Sequence, residues 1–286
     1  MRLDCGLLRR MTDQRTFLIT GAGRGLGLAL TTAALAAGHR VAATTRTGEG
    51  AVQHERLVTY ALDVRDRDAC RAVVRRVADD FGGVDVLINN AGYGLVGAIE
   101  ELTESEVRKL LDTDLLGPMW LTQAAVPVMR AQRTGHIVQI SSVGGVGAMP
   151  FFGLYNAAKW GLEGFSEALA GEVAPFGVRV TIAEVGAMDT EWATGSMRFS
   201  APVTEYDEGR KQILGVSEVP WVTEPGVTAG DGASPAEIAD RLLQHITAPA
   251  DGRLRLMLGD DAPGQIATVM QRRHDEYSLD PRFVVG

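Results

Sequence analysis

The stretch TGAGRGLG occupies residues 20–27 and separates two segments of different pattern. Before it, TFLIT (16–20) is a short apolar run rich in β-branched residues. After it, LGLALTTAALAAG (26–38) has the composition of a helix. A glycine-rich turn between a strand and a helix predicts a nucleotide-binding loop, because the helix N-terminus presents free N–H groups and a partial positive charge to a phosphate.

The residues of this loop have separate tasks. Gly21 allows a tight turn, Gly25 lets the backbone approach a pyrophosphate, and Gly27 lets the helix pack closely on the sheet. We take the candidate phosphate contacts from this loop, namely Gly21, Arg24, Gly25, Leu26 and Gly27.

The second predicted strand, HRVAATTR (39–46), ends without the acidic residue that holds the adenosine ribose hydroxyls in NAD-dependent folds. Arg46 at its end and Arg24 in the glycine loop can pair with a 2′-phosphate instead, since a guanidinium matches phosphate bidentately. The alternative is that both are solvated surface arginines. The sequence therefore predicts NADP(H) in preference to NAD(H).

Strand-like and helix-like segments alternate along the chain. The predicted strands are 16–20, 39–46, 56–64, 84–92 with its exit loop, 135–142, 178–186 and 253–259. The predicted helices are 26–38, 67–83, 104–132 and 156–177. Such alternation implies parallel strands joined by right-handed crossovers. We expect an α/β fold, with one Rossmann-type, doubly wound parallel sheet of seven strands and helices on both faces.

Two segments depart from this alternation. Residues 1–15 carry charges throughout and no long apolar core, which predicts a loose extension rather than a signal peptide. Residues 188–235 hold several Gly and Pro residues, and long irregular stretches are often lids or binding loops. We predict a substrate-binding loop there, with a structural insertion as the alternative, inside a single domain spanning 16–286.

The composition excludes several functions. The 286 residues are 45% hydrophobic and 22% charged with a net charge of -8, so the basic field of a nucleic-acid binder is absent. No apolar run approaches the ~20 residues of a membrane helix. Cys5 and Cys70 form no metal-like pair and the histidines are scattered, which predicts no metal site and a cytoplasmic protein with reduced thiols.

A second motif, GLYNAAK (153–159), places Tyr155 four residues before Lys159. Positions four apart share one face of a helix, and an ammonium near a phenol lowers its pKa. This pair therefore predicts a proton donor or acceptor that works nearer neutral pH. An ordinary surface tyrosine and lysine are the alternative.

Six motifs occur in the order, and on the elements, typical of one family. They are TGAGRGLG (20–27), LDV (62–64), NNAG (89–92), QISS (139–142), YNAAK (155–159) and VTIAEVGAMDT (180–190). Together they resemble the short-chain dehydrogenase/reductase family in its Gly-x-x-x-Gly-x-Gly form, over about residues 16–260. Within that family the chain looks most like NADP-linked ketone reductases and alcohol dehydrogenases. The resemblance implies hydride transfer between a nicotinamide and a carbonyl or alcohol.

The resemblance also implies roles for individual residues. Tyr155 would be the general acid that protonates the carbonyl oxygen, Lys159 would lower its pKa and hold the nicotinamide ribose, and Ser142 would hydrogen-bond the substrate oxygen. Ser141 suits that role less, since neighbouring strand residues point to opposite faces. The other implied cofactor contacts are Asp63 and Val64 at the adenine, Asn90, Ala91 and Gly92 beside the adenosine ribose, Gly186 and Met188 by the nicotinamide, and Thr190 by the pyrophosphate.

Two residues depart from the family pattern. Asp114 in DTDLLG stands where the family has an Asn that binds a water beside the lysine, through a local kink in the long helix. A carboxylate there disfavours phenolate, so we expect a higher Tyr155 pKa and a weakened oxidation direction, or a pH optimum moved upward. Val185 replaces the proline of the family's Pro-Gly motif, which loosens the backbone beside the nicotinamide.

Large apolar residues surround the presumed pocket, and pockets are mostly apolar with a few placed polar groups. They predict a hydrophobic ketone or secondary alcohol as substrate, with Met149, Phe152 and Trp192 as candidate contacts. The alternative is that several of them are core or dimer contacts. Relatives usually pair through the long helix and the Lys159 helix, so we expect a homodimer or homotetramer.

Three classes of function stay open on the sequence. The first is an NADP(H)-dependent ketoreductase or alcohol dehydrogenase. The second is an isomerase, epimerase or cyclase on the same scaffold, which Asp114 and Val185 keep open. The third is a protein that binds NADP(H) without turnover, and the intact Ser142, Tyr155 and Lys159 argue against it.

Overall fold

Seven parallel strands form the central sheet of the computed structural model, which describes residues 14–188, 197–216, 218–220, 232–248 and 252–284. The strands of the described residues are β1 (Thr16–Ile19), β2 (Arg40–Thr45), β3 (Leu57–Ala61), β4 (Val86–Asn89), β5 (Gly94–Val96), β6 (Gly135–Ser142), β7 (Val178–Val185), β8 (Met197–Phe199) and β9 (Arg255–Leu258). The central order is β3-β2-β1-β4-β6-β7-β9, with every neighbouring pair parallel. The order reverses between β1 and β4, where such sheets bind ligands beyond their carboxyl ends.

Helices cover both faces of this sheet. They are α1 (Gly25–Ala36), α2 (Arg67–Phe81), α3 (Glu104–Leu111), α4 (Gly117–Gln132), α5 (Gly153–Val173), α6 (Asp207–Leu214), α7 (Pro235–Thr247) and α8 (Ala262–Tyr277). In β1, Phe17 and Ile19 enter a core with α1 and α7, whereas Leu18 enters a core with α2, α4 and α5. Successive strand residues point to opposite faces, so one strand supplies both cores. The predicted doubly wound α/β fold is confirmed.

The long helix predicted over 104–132 is not continuous. A π turn, Asp112–Leu116, separates α3 from α4 and accommodates one extra residue in the turn. The turn carries Asp114 inward, where its side chain is fully buried. The periodicity of the flanking helices could not reveal this interruption, because each flank keeps its own apolar face.

The segment predicted as an irregular loop, 188–235, contains regular structure in its described part. Strand β8 pairs in parallel with β5 in a separate two-stranded ribbon, with Leu95 opposite Arg198 and Val96 opposite Phe199. Helix α6 follows β8. The pattern of 188–235 concealed both elements because they are short and because β8 pairs with a strand about a hundred residues earlier. Helices α7 and α8 were not anticipated either.

A buried ion pair joins this segment to the turn after β5. The Arg210 guanidinium is fully buried and donates to Glu101 Oε1 at 2.6 Å and to Asp207 at 2.7 Å. Glu101 also accepts from the backbone N–H groups of Val203 at 2.7 Å and Ala98 at 2.6 Å. We call Glu101, Val203, Asp207 and Arg210 the buried clamp. A charge removed from water needs such partners to offset its loss of hydration.

A second buried polar group lies at the amino-terminal end of the central strands, at the start of β6. Arg179 donates to His136 Nδ1 at 3.1 Å, so the other ring nitrogen carries the proton and donates to Thr181 Oγ1 at 2.8 Å. The Thr181 hydroxyl in turn lies 2.8 Å from His245 Nε2 of α7. Burial, with the nearby Arg179 charge, lowers the pKa of His136 to about 3. His136 is therefore neutral in the folded protein.

The predicted N-terminal extension is described only from residue 14 onward. Arg15 donates to the carbonyl oxygen of Ile246 at 2.7 Å, next to the end of α7. Among the described residues, no helix has both the length and the apolar character needed to cross a bilayer.

Candidate active site

The glycine loop closes against its own backbone. A Cβ added to Gly27 would lie 2.3 Å from the carbonyl oxygen of Gly21, far inside van der Waals contact. Gly21 and Gly25 have φ angles of 65° and 53°, in the left-handed region that favours glycine. Helix α1 begins at Gly25, so its first N–H groups open onto the loop. These features suit a loop that approaches a phosphate closely.

Asn90 fastens the glycine loop to the end of β4. Its side-chain amide donates to the carbonyl oxygens of Thr20 at 2.9 Å and Gly21 at 3.3 Å. The Thr20 hydroxyl accepts from the backbone N–H groups of Asn90 and Ala91, each at 3.0 Å. The Asn90 side chain is therefore used in holding the loop, and its backbone and the following residues face the cleft.

Two arginines flank the far end of this loop. Arg24 and Arg46 are exposed, and within the described parts of the chain neither has a carboxylate within 4 Å. Asp63, at the end of β3, is held by Arg65, and this hydrogen bond lowers the pKa of the Asp63 carboxyl. Arg24 and Arg46 thus stay available to an anion, whereas Asp63 is already paired.

One cleft of about 1630 Å³ connects the glycine loop with the Tyr155 motif. It is lined by every described residue that the sequence predicted for the site, namely Gly21, Arg24, Gly25, Leu26, Gly27, Arg46, Asp63, Val64, Asn90, Ala91, Gly92, Asp114, Ser142, Met149, Phe152, Tyr155, Lys159, Gly186 and Met188. Thr190 and Trp192 were also predicted, and they lie outside the described residues.

Ser142, Tyr155 and Lys159 meet at the carboxyl end of β6. The side chains of Ser142 and Tyr155 are hydrogen-bonded, and Lys159 Nζ lies 5.5 Å from the centre of the Tyr155 ring. Lys159 also donates to the carbonyl oxygen of Ile140 at 3.2 Å. Ser141 points to the other side and donates to Glu163 at 2.7 Å. The three side chains therefore form one hydrogen-bonding and electrostatic unit without Ser141.

Burial dominates the proton affinity of Tyr155. It raises the pKa of the phenol, while the charge of Lys159 and the hydrogen bond from Ser142 lower it and the charge of Asp114 raises it. The lysine acts in the predicted direction, but the net pKa is above the ordinary value rather than nearer neutral. The Tyr155 hydroxyl therefore holds its proton at neutral pH, in the form that donates.

Comparison with known proteins decides the family. Residues 15–199 match the family model described as short chain dehydrogenase. The chain belongs to the short-chain dehydrogenase/reductase family. It is an oxidoreductase of that family, as the relatives below also indicate.

Relatives of this short-chain dehydrogenase/reductase cover nearly its whole length. Oxidoreductase BOA17 of Botryotinia fuckeliana is 34% identical over 279 residues, which are 92% of this chain and 96% of that relative. The solved structure of a short-chain dehydrogenase from Streptomyces avermitilis superimposes with a TM-score of 0.81 at 36% identity, covering 93% of this chain and 96% of the other. An alcohol dehydrogenase from the archaeon Thermococcus sibiricus, solved with 5-hydroxy-NADP, has a TM-score of 0.66 at 25% identity, covering 86% and 96%.

Asp114 distinguishes this short-chain dehydrogenase/reductase from the family pattern, and the π turn aims it at the site. Its Oδ2 lies 3.3 Å from Lys159 Nζ, and its Oδ1 accepts from the backbone N–H of Tyr93 at 3.1 Å. Burial raises the pKa of Asp114, and the Lys159 charge opposes that rise. Burial alone would lower the pKa of Lys159, but the surrounding groups, Asp114 first and then Tyr155 and Glu163, together outweigh it, and the pKa of Lys159 is raised. The carboxylate thus binds the lysine directly.

Gly186 shows how the second departure is accommodated. Val185 continues β7 and pairs with Leu258, and a Cβ on Gly186 would lie 2.2 Å from Asp261 Oδ1. Asp261 also accepts from the backbone N–H of Ala187 at 2.9 Å. The side chain of Asp261 therefore fixes the backbone after β7, where the family's proline would otherwise stiffen it.

Several residues of this short-chain dehydrogenase/reductase line the cleft without having been predicted. They come from β5 and its approach, β8 and α8, and include Tyr93, Leu95, Met197, Arg198, Phe199, Gln265, Thr268 and Val269. Met197, Arg198 and Phe199 lie in the segment 188–235 that was predicted as a substrate-binding loop, although they were not named as contacts; no motif pointed to the residues of α8. Met149 is 44% exposed at the rim, and Phe152 is buried edge-on to Tyr155, with ring centres 6.5 Å apart.

Proposed function

We propose that this oxidoreductase transfers a hydride between NADP(H) and a hydrophobic ketone or secondary alcohol, with Tyr155 as general acid and base. The observation that carries the proposal is the position of Tyr155, which shares one cleft with the glycine loop and touches Ser142. A ligand that fills this cleft meets a phosphate-binding loop at one end and a proton donor at the other.

The residues of the cleft fit a dinucleotide. The glycine loop has no room for a Cβ at Gly27, and α1 directs its free N–H groups into the cleft. Gly21, Gly25 and Leu26 would hold the pyrophosphate side, Asp63 and Val64 the adenine side, and Lys159 the nicotinamide ribose. When bound, the cofactor supplies or accepts the hydride.

The side chains around Tyr155 handle the proton. In reduction, the Tyr155 hydroxyl donates a proton to the carbonyl oxygen while Ser142 donates a hydrogen bond that stabilises the developing charge. In oxidation, the Tyr155 phenolate accepts the proton of the alcohol. Lys159 stabilises that phenolate, and Asp114 holds Lys159 in place at 3.3 Å. Since the pKa of Tyr155 is raised, we expect reduction to be the favoured direction at neutral pH.

The preference for NADP(H) rests on Arg24 and Arg46. Both are exposed at the glycine-loop end of the cleft, where a 2′-phosphate adds two negative charges. Replacing both by Ala is expected to weaken NADPH binding by about a hundredfold or more and NADH binding little, since each hydrogen bond to a charged group contributes about 1.5–3 kcal/mol. Equal losses for the two cofactors in equilibrium titrations would contradict the preference.

The proposal is tested by following NADPH absorbance with a panel of apolar ketones, for wild type and for Tyr155→Phe. We expect wild-type turnover and a loss of about 10²–10⁴-fold in kcat for the variant, with NADPH affinity preserved. Product formation without net NADPH oxidation would assign an isomerase or epimerase instead. Cofactor binding with no product across the panel would favour a binding protein.

We further propose a homodimer or homotetramer that acts in the cytoplasm on a small substrate, without nucleic acid or membrane partners. Light scattering of the purified protein and fractionation of cells that express it check the two statements. A monomeric mass would contradict the first.

A further inference from the structure

We propose that Arg198 binds a carboxylate of the substrate, so that the preferred substrate is an amphipathic oxo acid or hydroxy acid rather than a wholly apolar ketone. This inference rests on the proposed function and narrows its substrate class. Arg198 lies in β8, in the ribbon formed by β5 and β8.

Arg198 is exposed, lines the same cleft as Tyr155, and lies on the face of the ribbon that carries Leu95. Arg198 lies opposite Leu95, and paired residues of neighbouring strands have their side chains on the same face. Leu95 is buried and packs in one cluster with Tyr93 and Tyr155. Met197 lies on the other face of the ribbon and packs with Phe152 and Tyr155, so Tyr155 contacts the clusters on both faces.

The guanidinium of Arg198 lacks an anionic partner in the described part of the chain. Its hydrogen bond there is to the carbonyl oxygen of its neighbour Met197, at a long 3.4 Å. The arginines nearby differ: Arg210 holds two carboxylates, and Arg65 holds Asp63. A guanidinium has five N–H donors, so Arg198 retains most of its binding capacity.

Tyr93 adds a second donor to the same cleft. The Tyr93 side chain lines the same cleft, and Arg198 is close enough to act on its proton affinity. Burial, reinforced by the Asp114 charge, raises the pKa of Tyr93 to about 12, so its hydroxyl is neutral and able to donate. A cation and a neutral hydroxyl are donors that a carboxylate accepts from.

The surroundings set the shape of the ligand. The cleft that holds these two donors and Tyr155 is also lined by apolar side chains, among them Leu95 and Phe152. A molecule that presents its carbonyl to Tyr155 and its carboxylate to Arg198 must therefore have an apolar middle. An Arg at this position also selects against uncharged isosteres, because such a ligand displaces water from the guanidinium without replacing its hydrogen bonds.

The experiment uses oxodecanoates with the ketone near, midway along or far from the carboxylate, each beside its methyl ester. With NADPH present, the wild type is expected to prefer at least one acid over its ester by about tenfold or more in kcat/KM. Arg198→Met is expected to remove that preference, and Arg198→Lys to keep part of it. The preference should also fall as NaCl is added, since an exposed cation is screened.

Arg108→Met is the matched control. Arg108 is an exposed arginine of α3 that is paired with Glu104 at 2.7 Å and does not line the cleft. It removes the same charge and should leave the ratio of acid to ester unchanged. An equal drop of the ratio in Arg108→Met would overturn the proposal in favour of a general effect of net charge.

A binding measurement separates this inference from the proposed function. Thermal protection of the protein by each acid and ester is measured without turnover, for wild type and for Arg198→Met. Acid-selective protection that disappears in Arg198→Met supports the site even if no ketone is reduced. Reduction of acids and esters at equal rates, or equal protection by both, overturns the site and leaves the proposed reductase standing.

Discussion

The two ends of the cleft are built in opposite ways. At the glycine-loop end, Gly21 and Gly27 are in contact within one eight-residue motif, and Asn90 of the neighbouring strand completes it. At the substrate end, the ribbon of β5 and β8 is held by the buried clamp, where Glu101 and Arg210 are 109 residues apart. The first end is determined by local sequence, and the second depends on pairings formed only in the folded chain.

The largest effect is expected from Arg210→Met, which leaves Glu101 as an unpaired buried charge. Such a change costs about 3–5 kcal/mol of unfolding free energy. If the two ends are independent, hydrogen exchange will show the loss as local opening of 197–216, and NADPH affinity will be nearly unchanged. The control is Arg241→Met, whose exposed pair with Asp260 contributes about 0–1 kcal/mol. A parallel loss of NADPH affinity in Arg210→Met would show that the ends are coupled.

The next effect belongs to the glycine-loop end. Gly27→Ala places a methyl group against the carbonyl oxygen of Gly21 and must displace the loop. We expect NADPH affinity to fall by about a hundredfold, or about 2.8 kcal/mol, in a titration.

Gly164→Ala provides the comparison for that variant. Gly164 lies inside α5 with no atom within 4 Å of an added Cβ. It should raise stability by about 0.5–1 kcal/mol, because Ala is the better helix former, and leave NADPH affinity alone. Equal losses of NADPH affinity in the two variants would contradict a specific role of the glycine loop in binding.

Asp114→Asn tests how the Asp114 charge acts on Lys159 and Tyr155. Because the Asp114 charge raises the pKa of Tyr155, its removal should lower that pKa, and alcohol oxidation should then begin at lower pH than in the wild type. The pH–rate profile of oxidation measures this shift. Asp112→Asn changes the same turn without contacting Lys159 and should leave the profile in place. Superimposable curves for Asp114→Asn and wild type would contradict the assignment.

The smallest effect is expected far from both ends, at His136. Its pKa is about 3 when folded and about 6.5 when unfolded, so between these values the unfolded chain binds the extra proton and stability falls as pH falls. From pH 6 to pH 5 the wild type should lose about 1 kcal/mol relative to His136→Gln in urea titrations. Glu184, whose pKa burial raises to about 7, acts in the opposite direction but equally in both chains. Parallel curves would show that His136 is charged in the fold.

The sequence predicted the elements and motifs that are formed by residues close together in the chain. Every strand of the central sheet was located because each is an apolar run bounded by turn residues, and the glycine loop and the Tyr155–Lys159 pair are short motifs. The ribbon, α6 and the buried clamp were missed because nothing near Arg210 indicates Glu101 as its partner. The upward effect of Asp114 on the pKa of Tyr155 was predicted, but the larger effect of burial was not, since burial is a property of the whole fold.

The π turn at 112–116 also sets a limit on how this gene can change. Deleting one residue from the turn would restore an ordinary α-helix, and every residue beyond it would rotate by about 100° relative to α3. Leu121 and Met129 would then leave their core while Asp114 left Lys159. The sheet packing and the proton chemistry are thus tied to the same single inserted residue, and descendants of this chain can lose it only by rebuilding both together.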